Sequence, residues 1–266
     1  MRERILVTVK TYPHPSVSYQ ELVCTAGIRE DGSFIRLYPV DFRYRPPHQR
    51  YEKYQWIEVD VIRNRSDPRP ESYRPDLDSV RILGDRISTE NNWEERKRLV
   101  LARPLQTMCG LRTAFMRDKT SLGVIKPQSI TEVRVEDTER EWDVKHQQAL
   151  AQYSLFDQQK KPLAKIPFRF SYRFSCGDDC NGHEMSITDW ELGALYLREV
   201  LRLGNEIHAA ESVRKKYFDN LCGPDKDTYF FVGNTYTVYN SWIVLGVFYP
   251  KRVKKVVGSV QPLFEW

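Results

Sequence analysis

Apolar and polar positions alternate in short runs along most of the chain, a period that predicts strands more often than long helices. Residues 3–10, with Ile5-Leu6-Val7 at their centre, read as a first strand and Tyr19 to Ile28 as a second. Glu30-Asp31-Gly32 then supplies turn chemistry before Phe34-Ile35-Arg36-Leu37-Tyr38, and Asp-Gly between two apolar stretches predicts a hairpin. Tyr54 to Arg63 and Val80 to Ile87 predict further strands, separated by a surface loop over Arg65 to Pro75, which holds three prolines. Ile130 to Val135 reads as another. The clearest alternation runs from Ile166 to Phe174, with Phe168, Phe170, Tyr172 and Phe174 on one face and Arg169, Ser171 and Arg173 on the other. Thr228 to Gly233 and Trp242 to Tyr249 complete the predicted strands.

Helical composition is confined to a few stretches. Asn92 to Arg103 is ended by Pro104, and Glu139 to Phe156 has few breakers. Asp157 to Pro162 is polar and lysine-rich, a linker. Thr188-Asp189-Trp190-Glu191 matches a capping box that opens a helix to about Leu203, and Asn205 caps a second helix reaching Leu221. Strands, helix, strands, helices, strands is an α+β order. It predicts a β-rich N-terminal part (residues 1–156, with two helices and scope for a small barrel) and an α+β part (residues 165–266), or one continuous domain.

The chain of 266 residues is 41% hydrophobic and 29% charged, enough apolar material for a real core. No run approaches the ~20 apolar residues that cross a bilayer, and the N-terminal apolar run is too short for a signal peptide, so a cytoplasmic protein without a membrane partner is expected. Five cysteines, an odd count, do not suit a disulfide framework in that compartment.

Two of those cysteines carry the sharpest signal. Cys176-Gly-Asp-Asp-Cys180-Asn-Gly-His183 puts two thiols and an imidazole within eight residues, and Gly177 and Gly182 let the backbone bend around them. A further ligand must come from afar; Cys222, before Gly223-Pro224, is the expected one and Cys109 the alternative. Cys176, Cys180 and Cys222 with His183 would make a zinc site. Cys109 in place of the histidine would give four thiolates and admit an iron–sulfur cluster. Cys24, inside an apolar run, reads as a core thiol. A hydrolase or nuclease reading would use His183, Glu184, Asp189 and Glu191, but Ile187 breaks the zinc-protease pattern and the capping box accounts for Glu191 without chemistry.

The stretch from Arg36 to Tyr54 interleaves cations and rings. Arg36, Arg43, Arg45, Arg50, Tyr51 and Lys53, extended by Arg169 and Arg173, suit single-stranded nucleic acid, whose phosphates meet guanidinium groups and whose bases stack on rings. A net charge of +5 permits such a partner. Arginine and tyrosine also favour protein interfaces. Lys251, Arg252, Lys254 and Lys255 form a denser basic run.

Several blocks together resemble an uncharacterised family of bacterial proteins. These are Lys10-Thr11-Tyr12-Pro13, Ile35-Arg36-Leu37-Tyr38-Pro39, Ser121 to Pro127, the Cys-x3-Cys-x2-His to Asp-Trp-Glu block of residues 176–191, and Phe231-Val232-Gly233-Asn234. The resemblance brings no activity. The expected function is nucleic-acid binding with a structural metal, as the recognition component of a bacterial defence or nucleic-acid modification system. A metal-dependent hydrolase and a protein–protein adaptor are the alternatives.

Overall fold

The computed structural model describes residues 1–154, 162–235 and 241–253. Six strands form the N-terminal sheet: β1 (Arg2–Lys10), the short β2 (His14–Ser16), β3 (Gln20–Arg29), β4 (Phe34–Val40), β5 (Trp56–Arg63) and β6 (Ser72–Ile82). β1 pairs antiparallel with both β3 and β5, which closes the sheet. β3 pairs with β4, β4 runs parallel to β6 at Arg36–Leu37, and β6 returns to β5. Numbering the five closed strands in chain order gives 1-2-3-5-4-1, the strand order of the OB-fold, a five-stranded Greek-key barrel. Ile5, Val7, Val23, Ile35, Leu37, Ile57, Val59 and Val61 fill its interior.

The Asp-Gly hairpin forms as expected, with Gly32 at φ 78° and the Arg29 N–H donating to the Ser33 carbonyl. β6 starts well before Val80, inside the stretch expected to be loop. The reason is Arg63, whose guanidinium donates to the carbonyls of Asn64, Asp67 and Ser72 and gathers the turn so tightly that the strand resumes at Ser72.

Helix α1 (Glu90–Val100) leads away from the barrel, and α2 (Met108–Asp118) opens the rest of the chain. β7 (Leu122–Ile125) and β8 (Ser129–Asp137) follow each other across Lys126–Gln128. They pair with different partners, β7 with β11 (Tyr229–Asn234) and β8 with β9 (Phe168–Ser175). Helix α3 (Val144–Ser154) precedes β9; β10 (His183–Ser186) pairs with β9, and β12 (Trp242–Phe248) with β11. A parallel bridge between Ile187 and Val244 joins the two three-stranded sheets. With β7 and β8 taken as one bent strand, the order is again 1-2-3-5-4-1. Helices α4 (Trp190–Leu203) and α5 (Glu206–Lys215) lie between the third and fourth strands of this second unit. Its core is Phe170, Tyr172, Phe174, Met185, Leu192 and Phe230, so the predicted apolar face of β9 points inward.

A third apolar cluster joins the halves: Leu6, Val9, Ala26 and Ile28 of the first barrel meet Leu122, Val124, Phe231, Leu245 and Phe248 of the second. Beside it, Arg69 forms a buried ion pair with Asp67 and donates to the Asn234 carbonyl, while Arg36 donates to Ser121. The capping of α4 differs by one residue from expectation. Asp189, not Thr188, is the N-cap; its carboxylate accepts from the Glu191 N–H, and the Thr188 hydroxyl is buried with no partner among the described residues. Asn205 caps α5 as expected, accepting from the His208 N–H. That helix passes into a wider turn over Lys216–Asn220. Residues 157–161 of the expected linker and Lys254–Lys255 of the basic run lie outside the described residues.

Candidate metal centre

Four side chains converge at one edge of the second unit: Cys109, Cys176, Cys180 and His183, whose ligand atoms all lie within 4.8 Å of one another. Each is delivered by a different local device. Cys109 sits in the first turn of α2, where the Thr107 hydroxyl caps the helix by accepting from the Gly110 N–H. A helix N-terminus favours a thiolate. Cys176 follows the last residue of β9. The Gly177 carbonyl accepts from the Cys180 N–H and turns the chain back, and Gly182 at φ 87° lets it enter β10. His183 is the first residue of β10, opposite Phe174, with the two ring centroids 5.1 Å apart.

The Cys109 sulfur is 3.6 Å from that of Cys176 and 3.9 Å from that of Cys180. His183 Nε2 lies 3.1 Å from Cys180 Sγ, 3.4 Å from Cys176 Sγ and 3.6 Å from Cys109 Sγ. A tetrahedral ion with bonds of about 2.3 Å to sulfur and about 2.0 Å to nitrogen needs edges of about 3.8 Å and about 3.5 Å. The four groups therefore stand at the corners of a site compatible with one metal ion such as zinc.

The electrostatics point the same way. Burial, with the charge of Arg112 added, lowers the His183 pKa and keeps the imidazole neutral, as a ligand must be. Hydrogen bonds from the backbone, first at Cys176 and then from the Gly182 N–H, lower the Cys180 thiol. Desolvation and the neighbouring thiols of Cys176 and Cys180 push Cys109 up to about 11. Three sulfurs this close resist becoming three anions, and a central cation removes that resistance.

The structure corrects the fourth ligand. Cys222 is not at the centre: its sulfur lies 3.3 Å from the Tyr217 carbonyl oxygen and 3.7 Å from the Tyr172 hydroxyl, and burial pushes its thiol up to about 12. The turn over Lys216–Asn220 sets it against Tyr172 and Tyr217 instead. Cys109 is not an alternative to His183 but joins it. Its helix was not predicted, although Thr107 followed by Met108, Leu111 and Phe115 on one face is a readable start.

The carboxylates proposed for hydrolysis are placed elsewhere. Glu184 projects to solvent between Arg134 and Arg173. Asp189 is buried and bridged to Lys53 at 2.5 Å, and Glu191 contacts the same ammonium at 3.2 Å. Nor do the expected nucleic-acid residues form one free basic surface. Arg36 is buried against Ser72 and Ser121, Tyr51 is buried with its hydroxyl on Thr25, and Lys53 is the buried partner just described. Arg43 pairs with Glu21, Arg45 with Asp78, and Arg50 donates to the carbonyls of Arg45 and Arg43. Arg169 and Arg173 are exposed but paired with Glu136 and Glu132. Tyr19 and Tyr38 are the aromatic side chains that stay substantially in solvent among the described residues, at 53% and 43% exposure. Only Tyr38 stood in the patch read from sequence.

No curated protein matches the chain. Among solved structures it is similar to a murine DNA binding protein bound with ds DNA, at 12% identity and TM-score 0.30, covering 95% of this chain and 97% of that one. It is likewise similar to the p204 HINb domain, at 9% identity and TM-score 0.32, with the same coverage. Scores this low leave function to the residues themselves. Residues 1–102 match the model described as Domain of unknown function (DUF8758). Residues 104–264, more than half of the chain, match Domain of unknown function (DUF8757), and the chain belongs to that uncharacterised family.

Proposed function

We propose that this protein binds nucleic acid through the rim of its first barrel and that a zinc ion closes the second. The observation that carries the reading is the position of Tyr19 and Tyr38 on a barrel of OB order. Such barrels take oligonucleotides at strands 2 and 3 and at the loops after strands 1 and 4. Tyr19 ends the first of these loops and Tyr38 lies on the third barrel strand. Most of the remaining outer surface of β1 and β3 is covered by the second unit, so the rim is what stays open. The loop after the fourth strand holds Arg65, exposed and with no carboxylate partner among the described residues, ready for a phosphate. Exposed rings and an unpaired guanidinium suit an unstacked base and its backbone.

Zinc is favoured over an iron–sulfur cluster by the donor set and spacing. A multi-iron cluster spreads its thiolates over several irons, wider than donors within 4.8 Å allow. Four protein ligands leave no open position for a reacting water, which favours a structural over a hydrolytic metal. We also place the domain boundary in the connection 101–107, between the barrel and α2.

Fluorescence anisotropy with a single-stranded oligonucleotide tests the reading. Stacking is worth ~1–3 kcal/mol per base, so Tyr19→Ala and Tyr38→Ala should each weaken binding roughly 5- to 150-fold. Arg43→Ala with Arg45→Ala, whose guanidiniums are already matched by carboxylates, should weaken it far less. Affinity should fall linearly on a log–log plot against salt. Unchanged affinity in both tyrosine variants would refute the rim as the binding surface.

A further inference from the structure

Where the two units meet above α4, a cavity of about 280 Å³ opens, and it shares no residue with the tyrosine rim. Its walls are four rings, Tyr54, Trp93, Trp190 and Tyr249, and its buried cations are Lys10, Lys53 and Arg96. Lys53 is neutralised by Asp189 and Glu191. The other two have no carboxylate within 4 Å among the described residues. The Lys10 ammonium donates to the Tyr51 carbonyl and lies over the rings of Phe42 and Trp190, at 4.1 and 4.9 Å. The Arg96 guanidinium donates to the Ile87 carbonyl and stacks on Tyr54 at 4.0 Å. Glu52 also lines the cavity but pairs with Arg86, so the cations Lys10, Lys53, Arg86 and Arg96 outnumber the carboxylates Glu52, Glu191 and the adjoining Asp189, an excess that suits an anion.

The rings are held at a cost. Tyr54 has φ 67° and Trp93 φ 62°, the latter ending a run of three left-handed residues with Asn91 and Asn92. Left-handed backbone in residues with bulky side chains is unfavourable and gathers at ligand sites. Here it turns Trp93 edge-on to Tyr249, centroids 4.8 Å apart, at the cavity wall. Glu191, Val247 and Tyr249 are shared with an adjoining cavity of about 310 Å³ that is also lined by Arg198 and Lys216. Burial, reinforced by the Lys53 charge and partly offset by Glu191, Glu52 and Asp189, lowers the Lys10 ammonium to about 8, and an anion bound beside it would favour its charged form.

We propose that this cleft binds a nucleotide, its phosphate against Lys10 and Arg96, its base against Trp93 and Tyr249. The side chains match both halves of that chemistry, an anion and a planar ring, and the volume suits a small ligand. The nucleotide comes either free or as the 5′-phosphorylated end of a strand. The site stands independently of the rim, so an oligonucleotide without a 5′-phosphate probes the rim and a mononucleotide probes the cleft.

Calorimetry and tryptophan fluorescence on the full chain test the proposal with adenosine 5′-monophosphate, the other three common ribonucleoside monophosphates, adenosine, and a 5′-phosphorylated dinucleotide. Saturable binding that quenches tryptophan emission is expected for at least one phosphate-bearing probe. For adenylate, adenosine should bind roughly tenfold or more weakly, and Lys10→Met should cost a similar factor. Trp93→Phe, which keeps a ring, should retain binding with a smaller quench. A dinucleotide roughly tenfold tighter than the monophosphates identifies the strand end as source; equal or weaker dinucleotide binding identifies the free nucleotide. No saturable binding of any phosphate probe up to roughly 1 mM by folded protein overturns the site, as does binding unaltered by both Lys10→Met and Trp93→Ala.

Discussion

Cys109→Ser is expected to release the metal and to unfold the second unit at ordinary temperature, whereas Cys222→Ser leaves the metal content unchanged. The contrast follows from where the two sulfurs lie. Cys109 ties α2 to the β9–β10 hairpin across 67 residues of sequence, alongside apolar packing of Met108, Leu111 and Phe115 in the same core. Structural zinc contributes on the order of 10 kcal/mol to folding in small domains, comparable to the entire stability of an ordinary one. Losing one of four ligands forfeits most of that contribution, and a melting temperature lower by about 10 °C or more should follow. Cys222 lies against Tyr172 and Tyr217, so its replacement costs only a small packing term. Elemental analysis beside thermal melts of both variants reads the difference. Chelation or acid should imitate Cys109→Ser, because protons compete for three thiolates and one imidazole.

Lys53→Met is expected to destabilise the chain by about 3–5 kcal/mol, the second largest effect. Asp189 is 2% exposed, and burial, with the Glu191 charge added, raises its pKa; the Lys53 ammonium opposes that rise and makes an ionised carboxylate tolerable there. Removing the amine strands that charge, or forces it to take up a proton. The same carboxylate caps α4, so the helix start weakens along with the contact between the barrel and the second unit. The double variant Lys53→Met with Asp189→Asn should recover part of the loss, since no buried charge is then left alone while an N-cap acceptor remains. Urea unfolding of the single and double variants measures this. A single variant as stable as the parent would mean that the pair is not buried as described.

Much of the local structure was legible because local chemistry dictates it. Phe168, Phe170, Tyr172 and Phe174 point inward, Asp31-Gly32 turns the chain, and Asn205 starts its helix, each through neighbours a few residues away. Cys176, Cys180 and His183 were legible for the same reason. Closure was not. Nothing in Arg2–Lys10 says that the strand serves two partners, and the β4–β6 contact that completes the barrel is a parallel pairing of two residues. Cys109 gives little signal in sequence because its helix is short and only weakly amphipathic in pattern, with Cys109 on its exposed side. In sequence the cation-and-ring stretch shows its cations but not the carboxylates that fold onto them. Glu21 and Asp78 lie on other elements, and with Asp41 of the stretch itself they turn Arg43 and Arg45 from a phosphate surface into an internal frame. The cleft needs residues from β1, the segment before β5, α1, α4 and the end of β12, a convergence that no single window of sequence contains.

The central claim is one ion held by three sulfurs and one imidazole nitrogen drawn from two distant stretches of chain. X-ray absorption at the zinc edge of the purified protein tests it most directly. The account predicts one zinc per chain with three sulfur scatterers at about 2.3 Å and one nitrogen at about 2.0 Å, lost in Cys109→Ser and unaltered in Cys222→Ser. A metal–metal distance, a shell without sulfur, or a spectrum that depends on Cys222 and not on Cys109 would contradict it.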